Sequence, residues 1–162
     1  MPTQTPAIVE SQQFLTLKLP DATSVMIQSH QLMEVLDIEL SSITSIPDVH
    51  PSLLGVYNWR GEVLWLLDLG LYLGSKALYE TSLNQNKANI VIIRHNDSTL
   101  GLAVDQVIEM NKLSISDIQD LPSQDLHPMF QRCMEGYYPS PSQEIIWLIN
   151  TPELLESISV AV

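Results

Sequence analysis

The chain has 162 residues, 45% apolar and 16% charged, and 19 acidic against 7 basic residues give it a formal net charge of -12. This length and composition are typical of a globular unit with its own core and exclude a disordered chain. The negative charge, without a cluster of Lys or Arg, excludes nucleic acid and anionic membrane surfaces as partners and favours proteins. Because one cysteine allows no internal disulfide and no apolar run approaches the roughly 18 residues of a membrane span, we expect a cytoplasmic protein without direct membrane insertion.

The chain begins with a polar segment, residues 1–12, that we expect to be a flexible tail. From residue 14 the stretch FLTLKL alternates apolar and polar residues, which predicts a half-buried strand. The turn signal PDATS and the returning stretch VMIQS predict an antiparallel hairpin, and the apolar set LMEVL follows at residues 32–36.

The same order of segments occurs twice. Residues 89–110 align without a gap on residues 14–35, and residues 136–151 resemble residues 55–69, with Trp147 matching Trp65. This repetition predicts an internal duplication in which each half supplies about five short strands. Five strands suit a small closed barrel, which has no exposed edge strand, so the sequence predicts an all-β fold of two barrels packed around a groove.

The polar stretch at residues 74–88 should separate the two barrels, the first mainly within residues 13–80 and the second mainly within 88–157. This division leaves open an exchange of strands between them. The two tryptophans should occupy equivalent strand positions, largely buried or lining the contact between the halves.

Helix is sparse, and the best candidate is TPELLES at residues 151–157. Thr151 can cap this helix and Pro152 suits its first turn, so we expect one short C-terminal helix followed by a tail, residues 158–162.

Few residues suggest catalysis. The four histidines lack metal-ligand spacing, and phosphate loops, nucleophile elbows and CxxC pairs are absent from the sequence. Asp68 and Asp105 each end an apolar run. They could meet as the acid/base pair of a small hydrolase or in a ligand-binding barrel, but we favour the interpretation that each closes a strand and binds turn backbone. We therefore predict no enzyme activity, no cofactor and no metal.

The turn Asn58-Trp59-Arg60-Gly61 precedes an apolar run that reads as a buried strand. Gly61 allows a positive φ and Asn58 can bond local backbone, which leaves Arg60 to present its planar fork of donors to carboxylates or carbonyls of a partner. The alternative is that Arg60 only forms a surface ion pair with a neighbouring glutamate, Glu34 or Glu62.

The segments FLTLKLPD with LMEV, LLGVYNWRGEVLWLLDLGLYLG, and GLAVDQVIEM resemble the CheW-like domain family over about residues 13–157. The central segment is the most specific, because Gly55, Asn58, Arg60, Gly61 and the Asp68-Leu69 pair stand at the family's spacing. Three residues depart from the family pattern: Trp59 replaces a leucine, Trp65 a proline and Gly70 an arginine.

The resemblance implies two SH3-like barrels and a non-catalytic adaptor that couples the cytoplasmic tip of methyl-accepting chemoreceptors to the regulatory domain of a CheA-type histidine kinase. The pathway would be chemotaxis, phototaxis or pilus motility, with the protein recruited to membrane-associated receptor arrays. It further implies receptor binding by Glu34 and by the Asn58-Trp59-Arg60-Gly61 turn. Kinase binding would use exposed apolar patches at the barrel ends. The departures leave open an accessory paralogue that binds only one partner.

Overall fold

The computed structural model describes residues 11–78, 86–123 and 125–159. Strands dominate this part of the chain, and three short α-helices lie entirely within it, besides three single-turn 3-10 helices. The strands are β1 Ser11–Lys18, β2 Ser24–Gln28, β3 Leu32–Glu39, β4 Leu53–Trp59, β5 Glu62–Asp68, β6 Lys87–His95, β7 Ser98–Val104, β8 Gln106–Ser114, β9 Met134–Pro139 and β10 Ile145–Ile149. The helices are α1 Leu69–Tyr72, α2 Pro128–Cys133 and α3 Thr151–Ser159.

The strands form two five-stranded sheets, with the order β8-β1-β2-β10-β9 in the first and β3-β6-β7-β5-β4 in the second. Neighbouring strands are antiparallel, except for the parallel pairs β2–β10 and β5–β7. Each parallel pair joins a strand from one half of the sequence to a strand from the other. The first sheet combines β1 and β2 of the first half with β8, β9 and β10 of the second, and the second sheet combines β3, β4 and β5 with β6 and β7. The all-β prediction, with two five-stranded units, is confirmed.

The strand registers confirm the internal duplication. Trp65 pairs with Val56 in the β4–β5 hairpin, and Trp147 pairs with Tyr137 in the β9–β10 hairpin. The register shift at Met33 in β3 recurs at the equivalent point of β8. A bulge that recurs at the same place in both halves identifies matched positions, because bulges are specific backbone features.

One detail of the predicted alignment is wrong. Glu34 pairs with Ile92, while its equivalent Glu109 pairs with Thr16, so Thr16 corresponds to Ile92 and not to Val91. The hairpin path from Ile92 to its partner Gly101 is one residue shorter than the path from Thr16 to its partner Met26. A gapless alignment therefore places β1 one residue out of register on β6.

Strand alternation divides the apolar residues among three cores. Leu15 of β1 and Val91 of β6 belong to the largest core, which joins the two sheets, whereas Phe14 and Ile90 point into the smaller core of their own sheet. Trp65 and Trp147 are half-buried and pack against the central core. They line the contact between the sheets, as predicted.

The ends of the described chain differ slightly from the predicted boundaries. β1 begins at Ser11, within the predicted tail, and α3 continues to Ser159, two residues past the predicted helix. The remainder of both predicted tails, and residues 79–85 of the predicted joint, lie outside the described residues. The division into 13–80 and 88–157 stays a prediction. No helix in the described ranges is long and apolar enough to cross a membrane.

Candidate functional site

The turn between β4 and β5 is a two-residue hairpin turn. Trp59 pairs with Glu62, and the two residues between them, Arg60 and Gly61, have φ angles of 52° and 79°. Two successive positive φ angles are the signature of a type I′ turn, which matches the twist of the flanking strands. The Gly61 amide donates to Asn58 Oδ1 at 3.0 Å, so the predicted roles of Asn58 and Gly61 in the turn are confirmed.

Glu34 connects β3 to this hairpin. Its Oε2 accepts from Trp59 Nε1 at 2.7 Å and forms an ion pair with Arg60 Nη2 at 3.2 Å. β3 and β4 stand at opposite ends of the second sheet's strand order, so the contact joins its two outer strands and requires the sheet to curl. The predicted ion pair of Arg60 with a neighbouring glutamate is present, and the Arg60 side chain is still 67% exposed.

Trp59 lies beneath the turn. The residue is 5% exposed and belongs to the core of the second sheet, together with Ile38 and Leu64. Two guanidinium groups lie over its ring, with the Cζ atoms of Arg60 and Arg94 at 5.0 and 5.8 Å from the centroid. Both distances are within the range of a cation–π interaction. The indole therefore lies within contact range of both arginines and presents little surface of its own.

Arg94 was not among the residues predicted from the sequence. It stands near the end of β6, where its Nε donates to Thr99 Oγ1 at 2.9 Å and its Nη2 lies 3.7 Å from Glu62 Oε2. No motif marks Arg94, because its proximity to Trp59 arises from the curvature of the sheet. We call Glu34, Trp59, Arg60, Glu62 and Arg94 the Trp59 cluster.

Asp68 caps α1. The residue is 1% exposed, its Oδ1 accepts from the amide of Leu71 at 3.3 Å, and its Oδ2 accepts from the amide of Leu78 at 2.8 Å. An acid/base catalyst must reach its substrate, so a buried carboxylate bound to backbone amides argues against the hydrolase alternative with Asp68 and Asp105. The favoured interpretation, in which Asp68 closes a strand and binds backbone, is confirmed.

Large apolar side chains are exposed at equivalent positions of the two sheets. Each has four such residues among those described: Met33, Val35, Leu40 and Val63 in one half correspond to Ile108, Met110, Ile115 and Ile145 in the other. The most exposed is Val63, at 75%. Such side chains favour association with other proteins when they lie together.

The profile of the CheW-like domain family matches residues 13–159. The chain belongs to the CheW-like domain family. It is 35% identical over 80 residues to Chemotaxis protein CheW of Helicobacter pylori, covering 49% of this chain and 46% of that protein. It is also 30% identical over 115 residues to Protein PilI of Pseudomonas aeruginosa, covering 69% and 58% respectively. The chain thus spans about half the length of the curated relatives it matches.

The fold is that of a solved family member. The crystal structure of scaffolding protein TtCheW from Thermoanaerobacter tengcongensis superposes with a TM-score of 0.73 at 20% identity, covering 87% of this chain and 90% of that one. This similarity confirms two SH3-like barrels. CheW-like domains form a family of scaffold and adaptor proteins of chemotaxis signalling and are not enzymes.

Proposed function

We propose that this protein is a non-catalytic adaptor that couples the cytoplasmic tip of a methyl-accepting chemoreceptor to the regulatory domain of a CheA-type histidine kinase. The observation that carries the proposal is the Trp59 cluster. A type I′ turn holds Arg60 at the surface, Glu34 lies beside it, and the buried indole fixes both side chains. A rigid, exposed charged pair of this kind is suited to recognising polar groups on a partner helix.

The receptor site would combine this charged pair with apolar contact. Met33 precedes Glu34 at the bulge of β3 and is 40% exposed, whereas Val35 faces the other side of the strand. An amphipathic helix of the receptor tip would place its apolar face against Met33 while its polar groups meet Arg60 and Glu34. Asn58 and Gly61 contribute by fixing the turn, and Trp59 contributes from beneath it.

The kinase contact would use exposed apolar residues outside the receptor site, such as Leu40 of one half and the equivalent Ile115 of the other. A regulatory domain of similar double-barrel fold could bury these side chains by end-to-end association, which removes apolar surface from water. Coupling would place the protein in the cytoplasm, at membrane-associated receptor arrays of a chemotaxis, phototaxis or pilus-motility system.

An accessory paralogue that binds one partner and limits signalling is the second candidate. The feature that favours it is the departure of Trp59, Trp65 and Gly70 from the leucine, proline and arginine that the resemblance to the family leads us to expect at these positions. Of these, Trp59 lies within the proposed receptor site and would alter which receptor is accepted.

Reconstitution of kinase phosphorylation from the receptor, the kinase and this protein tests the proposal. A coupling adaptor raises or gates phosphate incorporation only when all three proteins are present. An accessory paralogue binds the receptor or the kinase alone in a pull-down and reduces phosphorylation when it competes with another adaptor. Absence of binding to both partners would refute both candidates.

A further inference from the structure

Two of the three arginines in this chain converge on one indole, although the net charge is -12. The third, Arg132, stands on α2 and pairs with Glu153 at 3.6 Å. The exposed Arg60 already belongs to the proposed receptor site, whereas Arg94 comes from another strand and reaches the same ring from β6. Each of these arginines also lies beside a glutamate, Glu34 at 3.2 Å from Arg60 and Glu62 at 3.7 Å from Arg94, so the cluster carries no net charge. An acidic ligand group would therefore bind by replacing these surface partners.

Arg94 retains donors for a partner. Its side chain is 36% exposed, and its contact with Glu62, at 3.7 Å, is longer than a hydrogen bond. The guanidinium has five N–H donors, and the hydrogen bond to Thr99 uses the one on Nε. An intramolecular partner held at this distance on the surface stabilises little and is readily replaced by a carboxylate of better geometry.

We infer that Arg94 is a second cationic contact of the receptor site and that, with Arg60, it selects a partner helix carrying acidic side chains. The inference rests on the proposed function. Both guanidinium carbons lie within 6 Å of one ring centroid, so they are at most about 11 Å apart, the length of two helical turns. Carboxylates on the same face of one helix, one or two turns apart, match this span.

The Trp59 side chain is a shared neighbour of Arg60 and Arg94 and links their two contacts with a partner. Both arginines lie within 6 Å of the centre of its ring, and its Nε1–H donates to Glu34, so the positions of Arg60 and Arg94 depend on the same side chain. A cation–π contact with a ring uses none of the N–H donors of a guanidinium in a hydrogen bond, so these donors stay available for carboxylates. An ammonium in place of either group cannot form the same paired hydrogen bonds.

The test is the affinity of the receptor tip fragment for wild-type protein and for Arg94→Gln, Arg94→Lys, Glu62→Gln and Arg132→Gln, measured by titration calorimetry at low and high salt. We expect Arg94→Gln to weaken binding about tenfold at low salt and less at high salt, with partial recovery in Arg94→Lys. Glu62→Gln should strengthen binding, because it removes the competing carboxylate. Arg132→Gln should bind as the wild type does.

Two results would overturn the inference while leaving the proposed function intact: wild-type binding with equal affinity for Arg94→Gln, or equal losses in Arg94→Gln and Glu62→Gln. The second result would show that the Arg94–Glu62 pair only holds the strands together. Failure of the wild-type protein to bind the fragment would instead refute the proposed function, and the inference with it. Urea unfolding of each variant gives the fraction of folded protein in the absence of urea, which corrects the protein concentration used in each titration.

Discussion

Replacing Arg60 with asparagine separates the role of its guanidinium from the role of the turn. Residue 60 has a φ of 52°, which asparagine tolerates, and Asn-Gly is a preferred pair for a type I′ turn. The lost ion pair with Glu34 involves a side chain that is 67% exposed, so it contributes about 0.5 kcal/mol, and the contact with the Trp59 ring contributes about 0.5 to 1 kcal/mol. The better turn residue offsets part of this loss. We expect the free energy of unfolding, measured with urea, to change by less than about 1 kcal/mol.

Receptor binding should respond much more strongly to the same change. A charged contact near the centre of an interface contributes about 1 to 3 kcal/mol, which corresponds to a fall in affinity of roughly 5- to 150-fold. Arg60→Lys should recover only part of the affinity, because an ammonium lacks the two-pronged donor geometry. A variant that loses more than about 2 kcal/mol of stability yet binds the receptor tip undiminished per folded molecule would refute this reasoning. Residue 60 would then serve the hairpin alone.

Three further predictions concern stability and reactivity. Gly55→Ala should lower the free energy of unfolding, measured with urea, by about 3 kcal/mol or more, because the new Cβ would clash with the backbone carbonyl oxygen of Thr44 and the φ at residue 55 is 139°. Gly61→Ala, whose Cβ would lie in open space, should lower it by only about 1 to 2 kcal/mol, and equal losses would contradict the close backbone approach at Gly55. The hydrogen bond from Ser24 holds the pKa of Glu144 below its usual 4.5, so the ionised Glu144 stabilises the fold above pH 4.5 and this stabilisation is lost as the pH falls through the lowered pKa. The free energy of unfolding of Glu144→Gln should therefore fall less on acidification than that of the wild type, and identical pH profiles would show that Glu144 does not stabilise the fold in this way. Burial raises the pKa of the Cys133 thiol and shields it, so an aromatic disulfide reagent should modify Cys133 only as fast as the protein unfolds locally around it. Rapid modification of the native protein would contradict the burial of Cys133.

Local sequence was sufficient to predict the strands and the turn at the site. Alternation of apolar and polar residues fixes a strand and its two faces, and the order of the segments showed the duplication that the strand registers confirm. The turn at residues 58–61 was predictable because its geometry depends on neighbouring residues: Gly61 takes a positive φ, and the Asn58 side chain accepts a hydrogen bond from the amide three residues later.

The tertiary structure decided which distant residues meet. Alternation shows that Phe14 and Leu15 face opposite sides of a strand, but it cannot assign one to the core of a sheet and the other to the core between the sheets. Likewise, the burial of Trp59 and the approach of Arg94 to its ring result from curling of the second sheet, which brings together strands far apart in the chain. Strand pairing across long sequence separations depends on packing of the whole chain, because local propensity carries no information on which strands become neighbours.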